Sequence, residues 1–249
     1  MSRDWDAAGY DRVSGPQVEW ALRVLERLPL RGDETVLDAG CGSGRVTQLL
    51  LERLPRGRVV AVDSAPSMVA HAREALDPER ATVFQADLTE LVLDEPVDAA
   101  FSNAVFHWIP DHDALFARLH AALRPGGRLV AQCGGEGNVE RFHRAAREVA
   151  SRDPYTPYLG GWQGPWHFAG AERTAARLER AGFAEVTTWL EPYPVIPPDP
   201  ISFVRVVCLG PHLERLPEQL HDSFAREVLE RSGSELDYVR LNIEAKAHA

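Results

Sequence analysis

Three aspartates in the first third of the chain stand where apolar runs end. Asp38 lies in Val36-Leu37-Asp38-Ala39, Asp63 follows Arg58-Val59-Val60-Ala61-Val62, and Asp87 sits in Ala86-Asp87-Leu88. A carboxylate in such a place can take an ammonium group, both hydroxyls of a sugar, or an aromatic amino group. Asp38 also opens the loop Asp38-Ala39-Gly40-Cys41-Gly42-Ser43-Gly44. Its glycines allow a tight turn and close approach of a ligand to backbone. A dinucleotide loop reads GxGxxG and accommodates a pyrophosphate. The GxGxG spacing here suits an uncharged ligand segment, with Asp38 available to an ammonium. Each feature alone has a plainer explanation: a strand–helix turn, a helix cap at Asp63, a solvated loop acid at Asp87. Convergence of the three acids on one crevice outweighs any single member.

A second group follows in Ser102-Asn103-Ala104-Val105-Phe106-His107-Trp108-Ile109-Pro110-Asp111. His107 can serve as a general base toward a phenol, alcohol or amine, or be a satisfied ring at a strand end. Trp108 can donate its indole N–H or simply fill space. His107, Asp111 and His112 straddle Pro110 rather than share a helix face, so no metal site is expected. Residues 151–170 are rich in Pro, Gly and aromatics; Trp162, Trp166 and His167 there suit an acceptor pocket or a closing lid. Cys41 has no evident paired base and is read as a small loop residue.

Positioning these groups requires strands that end at one edge. Residues 36–39 and 58–62 read as buried strands, 81–84 and 97–101 as a third and a fourth, and 128–131 as the start of a fifth. Helices are expected over 43–54, 66–76 and 111–123, between them. Ser64 is a plausible cap for the helix opened by Pro66. Arg124-Pro125-Gly126-Gly127 reads as a turn. Farther on, helices are expected over 138–150 and 171–181, a strand over 183–190, and two helices before and after Pro217. An alternating Val239-Leu241-Ile243-Ala245 strand closes the chain. Alternating strands and helices predict an α/β, doubly wound sheet covered on both faces.

Composition narrows the function. The chain has 249 residues, 45% of them hydrophobic, enough for one large domain with a substantial core. A net charge of -10 without a basic run argues against nucleic acid. The three cysteines, Cys41, Cys133 and Cys208, suggest neither disulfides nor zinc. No segment is apolar enough to span a bilayer, and the N-terminal residues lack a signal-peptide core, so a cytoplasmic protein is expected. Lys246 is the only lysine, which opposes a Walker-type phosphate loop and Schiff-base chemistry.

With these motifs in hand, the chain resembles the class I S-adenosylmethionine-dependent methyltransferases over most of residues 1–135. The resemblance runs through Val36–Gly44, Val60–Met68, Gln85–Leu88, Asp98–Asp111 and Leu123–Val130. It implies a Rossmann-like sheet of about seven strands, the last antiparallel. It implies S-adenosylmethionine as cofactor and S-adenosylhomocysteine as product. By resemblance, Asp38, Gly40 and Gly42 meet the methionine part, Asp63 holds the ribose, Met68 packs on adenine and Asp87 binds its amino group. Ser64, Ala86, Leu88, Asn103, Ala104 and Tyr10 complete the cofactor's surroundings. Ser102–Asp111 is similar to the matching segment of trans-aconitate methyltransferases. It is also similar to malonyl-carrier-protein carboxyl methyltransferases and to insect juvenile-hormone acid methyltransferases. Trp5 and Tyr10 match the opening segment of the trans-aconitate type.

All three groups esterify carboxylates, so O-methylation of a small-molecule carboxylate by in-line displacement is expected. A carboxylic acid is already ionised at neutral pH and needs no base. Tyr10, His107 and Trp108 are the expected catalytic donors; Trp5, Tyr10, His107, Trp108, Trp162 and His167 are expected to line the acceptor. The rival reactions are methylation of a phenol, alcohol or amine with His107 as base, and cofactor binding without catalysis. A nicotinamide oxidoreductase is opposed by the loop spacing. One domain, 1–249, is expected: a lid at 1–32, a cofactor-binding half at 33–135, and cap segments at 136–170 and 192–233. Arg141, Arg144 and Arg205 can anchor a second carboxylate, but surface charge is the default. Oligomeric state is not set by the sequence.

Overall fold

The computed structural model describes residues 15–248, with only the backbone of residues 15–19. Its first element is helix α1, Gly15–Glu26, in a stretch expected as a lid. Trp20, Ala21, Val24, Leu25 and Leu28 are buried, at the spacing of one helical face. From Ala21 to Leu28 this stretch packs against the sheet.

Five strands follow in parallel: β1 (Thr35–Ala39), β2 (Arg58–Asp63), β3 (Ala81–Gln85), β4 (Val97–Asn103) and β5 (Leu123–Gly134). Helices α2 (Arg45–Glu52), α3 (Pro66–Ala75) and α4 (His112–Ala122) connect them. Beyond β5 come α5 (Glu140–Ala150), the short α6 (Thr156–Leu159), α7 (Ala171–Arg180) and β6 (Phe183–Pro192). Short helices α8 (Pro200–Phe203) and α9 (Gly210–Leu213), α10 (His221–Ser232) and β7 (Val239–Ala247) complete the order. The sheet runs β3-β2-β1-β4-β5-β7-β6. β7 lies antiparallel between β5 and β6. The expected turn at Arg124–Gly127 falls where the β4–β5 register shifts.

Both faces of the sheet are buried, which is why its strands read as continuous apolar runs. On one face Val36, Val59, Ala61 and Phe101 pack with α1, α2 and α3. On the other, Leu37, Val62 and Ala100 pack with Leu115, Phe116 and Leu119 of α4 and Leu178 of α7. A further cluster stands off the edge where β5 and β6 end and β7 begins. Phe142 and Val149 of α5, Tyr155, Leu159, Phe203, and Phe224 and Val228 of α10 form it, with Trp20 of α1. No described helix is long and apolar enough to cross a membrane.

Leu37 is fully buried at the centre of the sheet. Leu37→Ala is expected to cost about 2–5 kcal/mol in urea unfolding. Val92→Ala, at a side chain 73% exposed, is expected to change stability by less than about 0.5 kcal/mol.

Candidate functional site

The glycine loop is fastened to the end of β2. Gly40 and Cys41 donate backbone N–H bonds to Val62 O, at 2.8 and 3.0 Å. Asp63 then divides its carboxylate: Oδ2 accepts from Gly42 N at 2.9 Å and Oδ1 from Ala65 N at 2.9 Å. One acid therefore holds both the loop and the start of α3. Ala65, not Ser64, is the cap residue of α3, and no side chain caps it. The expected serine cap is thus corrected: the cap residue is Ala65, and its own N–H is held by Asp63.

The glycines have different reasons. Gly40 sits at φ +89°, and a Cβ there would lie 2.2 Å from Val105 Cγ2. It lets the loop and the end of β4 touch. Gly42 sits at φ +55° and a Cβ there would meet nothing within 4 Å. Open space beside backbone, next to a bonded carboxylate, is where a ligand can approach.

Asp38 lies beneath the loop, fully buried, its Oδ2 accepting from Thr47 Oγ1 at 2.6 Å. Burial pushes its carboxyl up to about 7, the Thr47 bond opposing and the nearby Asp63 charge assisting the rise. Such an acid gains by meeting a cation. Burial also raises Asp63, against the lowering effect of its backbone donors. Cys41 is driven far above the ordinary thiol range by burial and by Asp38 and Asp63, so its thiol stays protonated and is no nucleophile.

β4 ends on Asn103, tied to β1 by Ser102 Oγ, which donates to Ala39 O at 2.6 Å. Ala104 then adopts φ +63°, a conformation rare for a residue with a side chain. Strain of this kind gathers at ligand sites. It throws the chain into the 3-10 turn Phe106–Trp108, beside Gly40.

His107 is buried, and Gly134 N at the end of β5 donates to its Nδ1 at 3.2 Å. With Nδ1 accepting, the neutral ring carries its proton on Nε2. Burial, then the charges of Arg240, His112 and His143, lower His107 to about 3. At neutral pH the ring is a donor through Nε2–H, and its one lone pair is committed to Gly134.

Around it runs a sheet of rings. Phe168 stacks on His107 with centroids 5.9 Å apart, and Trp108 lies at 5.2 Å. Trp166 connects Trp108 at 6.0 Å to His143 at 4.4 Å and His212 at 5.6 Å. The segment is held in place because His167 N donates to His107 O at 2.8 Å and Glu136 N to Ala169 O at 3.0 Å.

The structure brings Asp38, Gly40, Gly42 and Asp63 into one bonded unit. Met68 is buried with Ala65 in the first turns of α3. Asp87 is exposed, and its Oδ1 accepts from Thr89 N at 2.8 Å and Thr89 Oγ1 at 2.7 Å. Ala86 N is tied to Asp63 O at 3.1 Å, and Leu88 is buried. Trp162 packs against the outer cluster, its ring 4.9 Å from His212 and under Arg215. The ring of His167 faces His112 at 4.7 Å, and its Nε2 lies 3.5 Å from Arg177 Nη1. Neither ring touches His107. Trp5 and Tyr10 lie outside the described residues. No metal-binding group of His, Cys, Asp or Glu exists among the described residues. Sequence reasoning missed Gly134, Phe168 and His143 around His107; they come from distant elements, and no local spacing marks them.

A family model described as a methyltransferase domain matches residues 36–127. A trans-aconitate 2-methyltransferase of Azoarcus sp. (strain BH72) is 36% identical over 234 residues, covering 88% of this chain and 86% of that protein. One from Variovorax paradoxus (strain S110) is 34% identical over 240 residues, covering 92% and 88%. A solved Haemonchus contortus phosphoethanolamine N-methyltransferase 2 in complex with S-adenosyl-L-methionine shares the fold. Its TM-score is 0.63 at 20% identity, over 97% of this chain and 56% of that one.

Asp38 is expected to cost the unliganded protein stability. Its folded pKa of about 7 exceeds the ordinary carboxyl value of 3.8, so the cost builds as pH rises between these values and levels off above. Asp38→Asn is therefore expected to be more stable than the parent, by a margin larger at pH 8 than at pH 5. Urea unfolding at both pH values checks this; an equal margin at the two would contradict it.

Proposed function

The chain belongs to the class I S-adenosylmethionine-dependent methyltransferase family, and from that premise we propose that it methylates a carboxylate oxygen of a small acid. The observation that carries the proposal is the His107–Gly134 hydrogen bond. A phenol or amine acceptor needs a base, and the lone pair a base would use is already occupied. A carboxylate is ionised at neutral pH and needs none. What it needs is a donor to hold one oxygen while the other attacks, and Nε2–H of His107 is such a donor. Trp108 and Tyr10 are further neutral donors of the same kind. A neutral donor orients the oxyanion without drawing off the charge that makes it nucleophilic. The trans-aconitate 2-methyltransferases among the relatives favour the same acceptor class by their name.

The residues at the glycine loop suit the cofactor. Buried Asp38 would meet its ammonium, and open backbone at Gly42 would take its methionine part. Asp63 would receive the ribose hydroxyls on oxygens that each hold one N–H already, since each oxygen has two lone pairs. Met68 would lie on adenine and Asp87 would take its amino group, with Ser64, Ala86, Leu88, Asn103 and Ala104 around them. The chemistry S-adenosylmethionine supplies is a methyl on a sulfonium: the acceptor oxygen forms the O–CH3 bond as the C–S bond breaks, and S-adenosylhomocysteine remains. The protein's share is alignment and exclusion of water. We assign the latter to the ring layer at Trp108, Trp166 and Phe168, under cap segments 136–170 and 192–233. Residues 33–135 are the cofactor-binding half. Trp162 and His167 act through that cap, at one remove from the acceptor.

The test is transfer from methyl-labelled S-adenosylmethionine to a panel of carboxylic acids, phenols and amines, followed by mild alkali. Label released as methanol is expected, from acid acceptors only. Label that survives alkali would overturn the carboxylate proposal. His107→Ala is expected to lower kcat/KM for the acid by roughly ten- to a hundredfold, the worth of one hydrogen bond to a charged group. A loss of about a thousandfold or more would mark a base instead. Asp63→Ala is expected to weaken cofactor binding strongly by calorimetry; unchanged affinity would remove its ribose role.

A further inference from the structure

We propose that His143 and His212 form a subsite for an uncharged hydroxyl group of the acceptor, remote from its reacting carboxylate, so that the enzyme selects hydroxy acids over plain and dicarboxylic acids of the same length. This rests on the carboxylate acceptor proposed above. His143 of α5 is 7% exposed and His212 of α9 is 5% exposed. Neither ring is hydrogen-bonded among the described residues, and Nδ1 of His212 is buried without a partner. Buried polar groups are almost always paired. His107, in the same ring layer, is paired with Gly134. Two orphan imidazoles in one cluster point to a partner that the chain does not supply.

A path of rings leads from His107 into the cap. Phe168 stacks on His107 at 5.9 Å and lies 5.7 Å from His143. Trp166 lies 4.4 Å from His143 and 5.6 Å from His212, and Trp162 lies 4.9 Å from His212. The charge of His143 acts on both His107 and His212, which places it near both. An acceptor whose carboxylate meets His107 has this apolar path for its other end.

The chemistry of the pair selects the group at that end. Burial lowers His143 to about 4 and His212 to about 3, so both rings are neutral at working pH. A neutral imidazole offers one N–H and one lone pair. A hydroxyl can donate to one ring and accept from the other. A methyl can do neither, and a carboxylate can only accept. A second carboxylate would also enter without a counter-ion. Arg147, whose charge reaches His143, is exposed and bonded to Glu140 Oε1 at 3.0 Å. Arg215 lies over Trp162 and is exposed. The arginines that the sequence offered for a second carboxylate are committed or on the surface. Arg141 pairs with Glu235 and Asp237, Arg205 pairs with Asp222, and Arg144 is exposed. Arg240 is engaged by Gln132 Oε1 at 3.2 Å and by the ring of Trp20. Burying an unpaired charge costs far more than burying a bonded hydroxyl.

The experiment compares ω-hydroxy acids of graded chain length with alkanoic and dicarboxylic acids of matched length, at about pH 8, where both ends of a diacid are ionised. The proteins are the wild type, His143→Phe, His212→Phe and His212→Asn. In the wild type the best hydroxy acid is expected to exceed both matched acids by about tenfold or more in kcat/KM. Both Phe variants are expected to bring the ratio of hydroxy acid to alkanoic acid down to about one, while His212→Asn, whose amide also gives and takes, keeps part of it. A wild type that shows no such preference, or takes the dicarboxylic acid best, would overturn the assignment. So would variants that lose activity equally on hydroxy and alkanoic acids. Should the variants not fold, the ring nitrogen resonances of His143 and His212 in the wild type with S-adenosylhomocysteine decide. A shift on adding hydroxy acid but not alkanoic acid supports the subsite, and no difference overturns it. Alkali-labile product from any of the acids reports separately on the carboxylate proposal. Ester formed without a hydroxyl preference fells the subsite alone.

Discussion

The backbone N–H of Gly134 reaches His107, and much of the site follows from that bond. β5 runs through the middle of the sheet and delivers this N–H to the edge where β4 turns away. Gly134 has to be glycine, because a Cβ there would meet Phe168 at 2.8 Å and Asn138 at 2.9 Å. The missing side chain lets Phe168 lie against the His107 ring. The bond sets the tautomer, burial keeps the ring neutral, and the pair together make an imidazole that gives a hydrogen bond and takes no proton. Chemistry that works without a base is what such a site allows.

The opposite wall of the crevice obeys a different logic. There Asp63 is a carboxylate held in place by backbone donors. Asp63 keeps the glycine loop and α3 in register with β2 and remains able to accept more. Asp38 is the less comfortable of the two: buried, bonded to one hydroxyl, and pushed close to neutrality in its titration. A fold selected for stability alone would place an amide there. The left-handed backbone at Ala104 is a second local cost beside the same crevice. Both costs lie where the chain meets a ligand, which is where conflicts between local preference and function are expected.

The alternating half of the fold was legible because the parallel strands carry short apolar runs, such as Val59–Val62 before Asp63 and Ala99–Phe101 before Asn103, separated by helical spacing. The glycine loop and its acids were legible for the same reason: they fall at those run ends. Helix α1 was legible but not read. Its Trp20, Val24, Leu25 and Leu28 have the spacing of one helical face. The Asp87–Thr89 turn was also local enough to see, since an aspartate two residues before a threonine bonds its backbone readily. His107's tautomer was not legible, because Gly134 is 27 residues away and meets it only through strand order. A sequence shows which residues can do chemistry; the sheet decides which of them face each other.

The most direct test of a base-free site is the pH dependence of kcat with cofactor and acid acceptor both saturating. With His107 neutral down to about 3 and Asp38 held ionised by the ammonium of the saturating cofactor, no group touching the acceptor titrates near neutrality, so kcat is predicted to be flat from pH 6 to pH 9. A kcat that climbs tenfold per pH unit and levels off near pH 7 would show a base at work and contradict the account.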